Sequence, residues 1–598
     1  MLTSYTIGPY EEHSKGTVFY HRYARNQDLV FRSICVKITS RMKYIFVSGG
    51  VLSGLGKGVT AASLGVTLKA RGYRVTNIKF ENYLNLDAGN INPIEHGDVF
   101  LCEDGTEADL DLGTYERFLG GTVGLKNYCT VGQIYQTMIQ KTCNLEFKGK
   151  TVDAIPYIPE EIIRRIEAAS QGYDIILIEL GGCAGEYQNT IYYEANRILK
   201  LQRPNDVIHV HVTYFPKPEH INELKSKPTQ LSVKNLNSMG IQPDFIVGRA
   251  KIAIDDKRKQ KVAYYCNLAA NAIISNPDLP SIYELPLIFE EQEFASKALA
   301  KLGLEDRKPD LKAWHALVAK IHAPHKATVT IAIIAKYLKS GDYELRDSYA
   351  SLLEAIEHAV NFENVNLDLR FIKAEDLEKN DVAAQKDLHA ADGIIVPIGW
   401  GSRGVEGKIA AIAYARENQV PFLGLCYGMQ LALIEFARHV AGLPQAQTTE
   451  VNPQTPCPVV HAVPVNGQRQ KIKGVGASMR LGAYDAVIKP GTLTHHIYQK
   501  YHAFKDESQN LVSERHRHRF EVNNDYRAQL EKAGLVISGT SPDNFFVEFL
   551  ELPPQTHPFF IATQAHPEYK TRPLQPHPFF TEFIKAALQK RQTNASNP

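Results

Sequence analysis

The sequence lacks the features that mark secreted, membrane-spanning and nucleic-acid-binding proteins. Its 598 residues include eight scattered cysteines, with no C-x-x-C pair and no secretory signal peptide. A disulfide framework is therefore excluded, and a reduced, cytoplasmic protein is favoured. No apolar run approaches the roughly 20 residues needed to span a bilayer, so we predict no membrane partner. The formal net charge of +2 is too near neutral to indicate a nucleic-acid partner.

The length exceeds that of a single-core domain and predicts two or three domains. Continuous apolar runs alternate with helical stretches in two separate series, which is typical of parallel sheets covered on both faces. We therefore expect an α/β domain over residues 42–305, a linker over 306–327 and a second α/β domain over 328–592. The predicted buried strands are 74–80, 174–180, 207–212, 244–247, 328–334, 369–372, 393–396 and 422–425.

Residues 1–41 are rich in Tyr, Arg and His and have weak periodicity. Met42 leads directly into the first apolar run and would be a natural start. We interpret 1–41 as a disordered N-terminal extension or an over-long start. A targeting peptide is less favoured, because Glu11 and Glu12 are acidic and no apolar segment is present.

A glycine-rich loop follows the first apolar run. Residues 44–60 read Y-I-F-V-S-G-G-V-L-S-G-L-G-K-G-V-T, and the next residues have helical spacing. A strand, a glycine loop, a lysine and a helix N-terminus together can cradle phosphate groups. The match to the standard pattern is imperfect, because Val51 replaces the first glycine and Gly58 replaces the Ser or Thr. The alternative is a tight strand-to-helix turn that exposes Lys57.

A second strand–turn–helix pattern carries a cysteine. Residues 421–430 read P-F-L-G-L-C-Y-G-M-Q, which places Cys426 on a sharp turn at a helix N-terminus, where thiolate is favoured. A cysteine nucleophile needs a base and the base needs an orienting group. The apolar run 559–562 leads to His566 and Glu568, which can fill those roles. Taken alone, the cysteine could be a small core residue, and the His-Pro-Glu segment could be a surface turn. The presence of both motifs at the ends of strands favours a catalytic site.

With both motifs in view, the chain resembles the CTP synthase family of glutamine-dependent amidoligases from Met42 onward. The front half resembles the synthetase domain with its modified P-loop, and the back half resembles a class I glutamine amidotransferase. Further stretches that match the family are 97–100, 109–113, 115–118, 225–230 and 514–519.

The resemblance implies a reaction in three steps. Glutamine is hydrolysed through a thioester on Cys426, and the ammonia passes through an internal tunnel. ATP phosphorylates O4 of UTP, and ammonia then displaces phosphate at C4 to give CTP. The resemblance also implies Mg²⁺, GTP as an activator and a homotetramer.

The resemblance implies roles for residues at four kinds of site. The ATP-binding positions are Gly54, Leu55, Gly56, Lys57, Gly58, Val59, Lys79, Asp111, Pro277, Asp278 and Leu279. Asp111 and Glu179 would hold magnesium, with a solvated loop carboxylate as the alternative for each. The UTP- or CTP-binding positions are Ser53, Glu186, Tyr187, Gln188, Lys225, Lys227, Gln230 and Lys261. The glutamine-binding positions are Gly399, Tyr427, Gln430, Glu450 and Arg519. Arg519 suits the substrate carboxylate and Glu450 its ammonium group.

Departures from the family are concentrated in the front half. The family's Asp-Pro after Lys79 is Glu81-Asn82 here, and its Arg-Arg-Gly-Asp segment is Cys-Asn-Leu-Glu at 143–146. The family's Thr-Val-Gly-Asp-Ile-Glu-Ser segment reads Cys-Ala-Gly-Glu-Tyr-Gln-Asn at 183–189 of this chain. In the family this segment lies against the pyrimidine nucleotide. Leu231 replaces a histidine. In the back half, the family's glycine pair before the glutamine pocket is replaced by Ile398-Gly399.

Three hypotheses of function remain open. The first is a working CTP synthase. The second is a paralogue that aminates another uridine nucleotide under altered regulation. The third is a nucleotide-binding scaffold without synthetase turnover, which the full set of catalytic residue types disfavours.

Overall fold

A computed structural model describes residues 42–92, 97–324, 327–336, 339–340, 343–344, 346–462, 471–472 and 478–596. Our prediction for residues 1–41 lies outside these residues.

The front half is a three-layer α/β unit around a seven-stranded parallel sheet in the order β5-β2-β6-β1-β7-β8-β9. Its strands are β1 (Lys43–Gly49), β2 (Val75–Glu81), β3 (Phe100–Leu101), β4 (Glu107–Ala108), β5 (Tyr128–Thr130), β6 (Ile175–Leu180), β7 (Val207–Phe215), β8 (Phe245–Ala250) and β9 (Ile273–Pro277). Its helices are α1 (Lys57–Lys69), α2 (Leu110–Leu119), α3 (Val131–Cys143), α4 (Ala154–Ser170), α5 (Thr190–Gln202), α6 (Lys227–Ser238), α7 (Asp256–Tyr265), α8 (Leu285–Glu291), α9 (Phe294–Leu302) and α10 (Lys312–Ile321). Strands β3 and β4 form a separate hairpin beside this sheet.

The back half contains a ten-stranded mixed sheet, in which β13-β10-β14-β15-β24 are parallel and the strands beyond β24 are antiparallel. The strands of this half are β10 (Thr328–Ala335), β11 (Lys339–Ser340), β12 (Tyr343–Glu344), β13 (Asn366–Lys373), β14 (Gly393–Val396), β15 (Phe422–Leu425), β16 (Ala446–Thr448), β17 (Cys457–Ala462), β18 (Lys471–Ile472), β19 (Ser478–Ile488), β20 (Leu511–His518), β21 (Phe520–Val522), β22 (Val536–Thr540), β23 (Val547–Glu551) and β24 (Phe560–Thr563). Its helices are α11 (Ala350–Glu363), α12 (Ala374–Glu378), α13 (Val382–His389), α14 (Val405–Glu417), α15 (Tyr427–His439), α16 (Leu493–Lys500), α17 (Arg527–Lys532) and α18 (Pro578–Ser596).

The prediction of two α/β sheets is confirmed, because the central strands are buried on both faces. Strands β1, β2 and β6 are buried at every residue, as continuous Val- and Ile-rich runs require. The bounds predicted for 393–396 and 422–425 match β14 and β15. None of the helices in the described ranges is both long enough and apolar enough to cross a bilayer.

The two halves pack against each other through apolar and ionic contacts. The apolar core of the front half also contains Met479, Leu481 and Tyr569 from the back half. Helix α10, which lies in the predicted linker, packs Trp314 against Phe118 with ring centroids 5.5 Å apart. The two candidate sites therefore have a fixed relationship set by a buried interface.

Candidate functional site

The predicted nucleotide-binding residues meet at the carboxyl edge of the front sheet. In a parallel sheet the carboxyl ends of all strands lie at one edge, where ligands bind in open α/β folds. The glycine loop follows β1, Lys79 lies near the end of β2, and Glu179 lies near the end of β6. The segment 277–279 follows β9 at the same edge, where Asp278 pairs with Arg249 at 2.8 Å.

The glycine loop has the left-handed turns that its sequence predicts. Gly54 and Gly56 have φ values of 73° and 78°, and Gly56 immediately precedes α1. Val51, at the position where the standard pattern has glycine, also has a positive φ of 83°. A β-branched residue rarely adopts this conformation, so the loop holds backbone strain at a predicted binding position.

Lys79 lies at the centre of a buried carboxylate cluster. Its Nζ is 2.5 Å from Asp111 Oδ2, 2.8 Å from Glu179 Oε1 and 3.3 Å from Glu81 Oε1. Burial opposes a charge on Lys79, but Asp111, Glu179 and Glu81 raise the pKa of Lys79 well above its ordinary value. Burial raises the pKa of Asp111 to about 6 and that of Glu81 to about 7. Three carboxylates against one ammonium leave a site suited to further positive charge.

Gly58 is explained by this cluster. A Cβ atom at Gly58 would lie 2.4 Å from Asp111 Oδ1, so the start of α1 packs directly on that carboxylate. The Ser or Thr of the standard phosphate-binding pattern cannot occupy this position unless Asp111 moves.

The residues predicted to hold the pyrimidine nucleotide are spread over several elements. Lys225 pairs with Glu223 at 2.8 Å, and Glu223 also pairs with Arg258 at the start of α7, which carries Lys261. Gln230 donates to Ser226, 3.1 Å away. The remaining predicted members occupy separate loops or helix starts: Ser53, Glu186, Tyr187, Gln188 and Lys227.

Two of the departures from the family contact each other. Asn82 Nδ2 donates to Glu186 Oε2 at 3.3 Å, which links the end of β2 to the loop after β6. Tyr187, the next residue, is 94% exposed, so its ring is not packed into this cleft. The altered segments therefore form one connected patch at the sheet edge.

Cys426 occupies a strained turn between β15 and α15. Its φ of 54° and ψ of −102° are the unusual backbone angles expected of a nucleophile elbow. Its backbone N–H donates to Thr563 O at 2.7 Å, and its Sγ lies 3.7 Å from Arg517 O. The side chain of Gln564 approaches Sγ at 3.7 Å.

His566 and Glu568 form a buried pair beside this cysteine. His566 Nδ1 and Glu568 Oε1 are 2.7 Å apart, in a turn that follows β24, the neighbour of β15. Burial opposes a charge on His566, but Glu568 and then Cys426 raise the pKa of His566 to about 10. Cys426 acts on the pKa of His566 through a side-chain hydrogen bond as well as through its charge, so the imidazole lies within reach of the thiol proton.

The loop 397–401 follows β14, the neighbour of β15, and two lysines donate hydrogen bonds to it. Lys408 Nζ donates to Pro397 O at 3.0 Å, and Lys336 Nζ donates to Gly401 O at 3.0 Å. A Cβ atom on Gly399 would lie 3.1 Å from Lys408 Nζ. Burial, followed by the charge of Lys336, lowers the pKa of Lys408 to about 7.

The other residues of the predicted glutamine pocket surround this loop. The Tyr427 hydroxyl donates to Gly401 O at 3.1 Å, and Glu450 Oε1 accepts from Gly401 N at 2.6 Å. Burial raises the pKa of Glu450, while Gly401, Lys336 and Arg519 act in the opposite direction. Gln430 Oε1 is buried and has no partner among the described residues.

A cavity of about 370 Å³ lies at the interface of the two halves. The front half lines it with residues 89–92, Asp98, Val99 and Glu107, and the back half with residues that include Trp400 and Arg519. A larger groove of about 1420 Å³ contains none of the residues predicted from the sequence and is not the candidate site. The smaller cavity is therefore shared by the two halves, and Arg519 of the predicted glutamine pocket lines it.

Sequence reasoning missed several side chains of these sites. Glu81 and Tyr115 both contact the Lys79 cluster, since the Tyr115 hydroxyl donates to Glu179. Lys336 could have been noticed because a polar residue directly after a buried parallel strand is a site signal. Lys408 is a lone cation in an apolar helix, which is a weaker signal.

The fold and the two sites define a nucleotide-dependent synthetase joined to a class I glutamine amidotransferase. Residues 43–304 match the family model described as CTP synthase N-terminus, and residues 344–586 match Glutamine amidotransferase class-I. CTP synthase of Pyrococcus abyssi is 47% identical over 552 residues, which are 92% of this chain and 98% of that protein. CTP synthase of Synechocystis sp. is 44% identical over 556 residues, which are 92% and 97% of the two chains. The chain belongs to the CTP synthase family.

A solved structure, Trypanosoma brucei CTPS glutaminase domain with bound acivicin, is also similar. It is 37% identical and covers 44% of this chain and 94% of that chain, with a TM-score of 0.38.

Proposed function

We propose that this chain converts UTP to CTP with ATP, using ammonia that its back half releases from glutamine. The observation that carries the proposal is the cavity whose walls come from both halves and include Arg519 of the proposed glutamine pocket. Ammonia in water is largely protonated at neutral pH and then cannot attack a carbon atom. A path between the two sites that keeps out water would preserve the reactive form. Residues 42–305 would perform the synthetase reaction and 328–592 the glutaminase reaction.

In the glutaminase half, Cys426 attacks the glutamine amide carbon and His566 transfers the proton. Bond formation to Sγ gives a thioester and releases ammonia as His566 protonates the leaving nitrogen. Water then hydrolyses the thioester to glutamate. Glu450 and Arg519 would bind the ammonium and carboxylate groups of the substrate, and the backbone N–H groups of Gly399 and Tyr427 would stabilise the oxyanion. Gln430 offers its unpartnered Oε1 to the substrate.

Replacement of Glu568 by glutamine is expected to weaken the base. The carboxylate is the largest favourable influence on His566, so its loss lowers the pKa of His566 from about 10 toward the ordinary value. In the variant, His566 therefore loses the proton that it donates to the leaving nitrogen at a lower pH than in the wild-type enzyme. The alkaline limb of the glutaminase profile should move down by at least about one pH unit, with a loss of about 10- to 100-fold at pH 8.

A matched control for this pH profile is Glu435→Gln, which removes a buried carboxylate that pairs with Arg416. Its alkaline limb should stay in place. An unchanged limb in the Glu568→Gln enzyme would contradict the assignment of Glu568 as the orienting group.

In the synthetase half, the glycine loop and Lys57 would bind the ATP phosphates. Lys79 would reach the same phosphates, and residues 277–279 would border the adenine. Lys225, Lys227, Gln230 and Lys261 would bind the phosphates of UTP or CTP. Ser53 and residues 186–188 would lie beside the pyrimidine nucleotide. The phosphoryl group moves from ATP to O4 of UTP, and ammonia then displaces phosphate at C4.

The carboxylates of Asp111 and Glu179 fit Mg²⁺. The ion commonly takes one or two protein carboxylates together with substrate phosphates, and it supplies charge stabilisation for phosphoryl transfer. The excess of carboxylates around Lys79 provides the charge that such an ion would neutralise.

A methyl group at Gly58 is expected to damage the synthetase site alone. In Gly58→Ala the new atom would meet Asp111 Oδ1 at 2.4 Å and push the carboxylate away. Misplacement on this scale lowers activity by about 10- to 100-fold. We expect that loss in CTP formation from ammonia, together with a higher KM for ATP and unchanged glutaminase activity.

Gly121→Ala is the control for Gly58→Ala, because a Cβ atom there meets nothing within 4 Å. It should retain wild-type kinetics. Wild-type ATP kinetics in Gly58→Ala would contradict the prediction that the synthetase reaction depends on the position of the Asp111 carboxylate.

Two finer properties belong to the same proposal. Exposed apolar side chains at Leu84, Ile139 and Tyr187 offer surface for assembly into a homotetramer. The cysteines in the described ranges are all free, which suits a cytoplasmic protein. GTP is proposed as an activator, although segment 143–146 lacks the family's pair of arginines.

The contact between Asn82 and Glu186 keeps a second candidate function in view. Both residues depart from the family, and they lie where the acceptor nucleotide would bind. The second candidate is therefore a paralogue that aminates a different uridine nucleotide. A scaffold without turnover is the third possibility.

One assay distinguishes the three functions. Purified protein is incubated with UTP, ATP and Mg²⁺ and either glutamine or ammonia, with and without GTP, and CTP is followed. CTP from both nitrogen sources supports the proposal, and amination of another uridine nucleotide in a panel supports the paralogue. Nucleotide binding without amination would leave only the scaffold.

A further inference from the structure

Two arginines of β20 touch both catalytic residues through their backbones. The carbonyl of Arg515 accepts the backbone N–H of His566 at 2.8 Å. The carbonyl of Arg517 lies 3.7 Å from Cys426 Sγ and accepts from the thiol. The nucleophile and its base are thus both held by one strand.

The side chains of the same arginines enter the synthetase half. Because alternate residues of a strand point to one face, Arg515 and Arg517 project together. Arg515 forms a two-pronged ion pair with Glu116, with both N···O distances 2.7 Å and both side chains fully buried. Arg517 Nε is 2.8 Å from Glu107 Oε1, also in a nearly buried pair.

The partner carboxylates are tied to the synthetase site. Glu116 lies on α2, the helix whose first turn contains Asp111. Glu107 lies in β4, two residues before Asp109, which caps α2 through its bond to Asp111 N. Glu107 also lines the shared cavity and packs so closely on Gly89 that a Cβ there would lie 2.3 Å from its carboxylate.

We propose that Arg515 and Arg517 are positioning residues that couple occupancy of the synthetase site to the alignment of Cys426 and His566. The inference rests on the proposed function of the two halves. A buried ion pair holds its two partners at a constrained distance, because an unpaired buried charge is strongly unfavourable, and the bidentate Arg515–Glu116 pair is constrained in angle as well. A shift of α2 or β4 when nucleotide binds at Asp111 is therefore followed by the arginines, and their carbonyls move with β20.

A static clamp is the competing explanation, and it has a different signature. If the arginines only hold the halves together, their loss lowers glutaminase activity equally with and without nucleotides. If they couple the sites, their loss lowers the stimulation of glutaminase by nucleotides. The ratio of stimulated to basal rate is therefore the informative quantity.

The experiment uses the full-length enzyme and the variant Glu107→Gln, which keeps the side-chain volume and touches neither catalytic residue. Glutamate release is measured with and without UTP, ATP and Mg²⁺, and CTP is measured in the same samples. We expect the stimulation ratio to fall by at least about fivefold and less CTP to form per glutamate. CTP formation from ammonia should stay within about twofold.

Glu357→Gln is the matched control, since Glu357 also joins the halves, through a 3.3 Å bond to Ser281, but lies away from β20. It should keep the wild-type ratio. Arg517→Gln and the double variant Glu107→Gln/Arg517→Gln complete a cycle, in which the double variant should be no worse than the poorer single variant. Glu116 is not chosen, because it pairs with both Arg515 and Arg572, so its loss would disturb two buried cations at once.

A wild-type stimulation ratio in Glu107→Gln, or additive losses in the cycle, would overturn the inference. So would a wild-type enzyme whose glutaminase rate does not respond to nucleotides. These results differ from failure of the proposed function, in which the wild-type enzyme makes no CTP from either nitrogen source.

Discussion

Replacement of Cys426 by alanine is expected to abolish CTP formation from glutamine and to leave CTP formation from ammonia within about twofold of wild type. Without Sγ no thioester can form, and loss of a nucleophile of this kind lowers the rate by at least about a thousandfold. The synthetase site keeps all its residues, because the hydrogen bonds of Cys426 in the described part of the chain go to the back half, among them those to Thr563, Arg517 and Gln564. CTP formation is measured with each nitrogen source at saturating UTP and ATP.

Cys457→Ala is the control for Cys426→Ala. Cys457 is also buried in the back half, on β17, but it has no part in the proposed reaction. Its alanine variant should retain synthesis from both nitrogen sources. If Cys426→Ala instead lost the ammonia-dependent reaction as well, the division of labour between the halves would be wrong.

The strand pattern and both motif loops could be predicted because their causes are local. A continuous apolar run needs only its own residues to indicate a buried strand, so β14 and β15 were predicted to the residue. Gly54 and Gly56 similarly predict the left-handed turns before α1, because glycine adopts a positive φ without a steric penalty.

The contacts between distant segments could not be predicted from the residues alone. Cys426 and His566 come together because β15 pairs with β24, with Leu425 opposite Thr563. Nothing in either segment encodes that pairing. The third carboxylate at Lys79 was missed for a related reason, since Glu81 appeared only as a departure from a family pattern.

The arginines of β20 show the same limit more strongly. Their alternation predicts a common face, but Glu107 and Glu116 lie about 400 positions earlier in the chain. Charge alone offers many candidate partners, and only the packing of the two halves selects these two. Interdomain contacts of this kind therefore require a structure.

Replacement of Glu179 by glutamine is expected to lower CTP formation from both glutamine and ammonia by at least about a hundredfold. Glu179 is 1% exposed, and its Oε1 accepts a hydrogen bond from Lys79 Nζ at 2.8 Å. It is one of the two carboxylates proposed to hold Mg²⁺. Glutamine keeps the volume but removes the charge that orients the ion and the lysine. Basal glutamate release should stay within about twofold, because the cysteine and its base lie in the other half.

The stability of this variant separates loss of chemistry from loss of fold. The cluster holds three carboxylates for one ammonium, so neutralising Glu179 relieves repulsion among Glu179, Asp111 and Glu81. The free energy of unfolding should therefore fall by no more than about 1 kcal/mol, as measured by urea unfolding.

Glu161→Gln provides the opposite control. Burial opposes ionisation of Glu161, but hydrogen bonds from Arg164, Lys141 and Arg165 lower its pKa to about 2. A carboxylate whose pKa is depressed by folding stabilises the protein above its unfolded pKa and loses that contribution as the pH falls toward 2. At pH 7 this variant should therefore lose stability while retaining CTP formation. Equal losses of activity in the two variants would contradict a special role for Glu179, since both remove one buried negative charge from the same half.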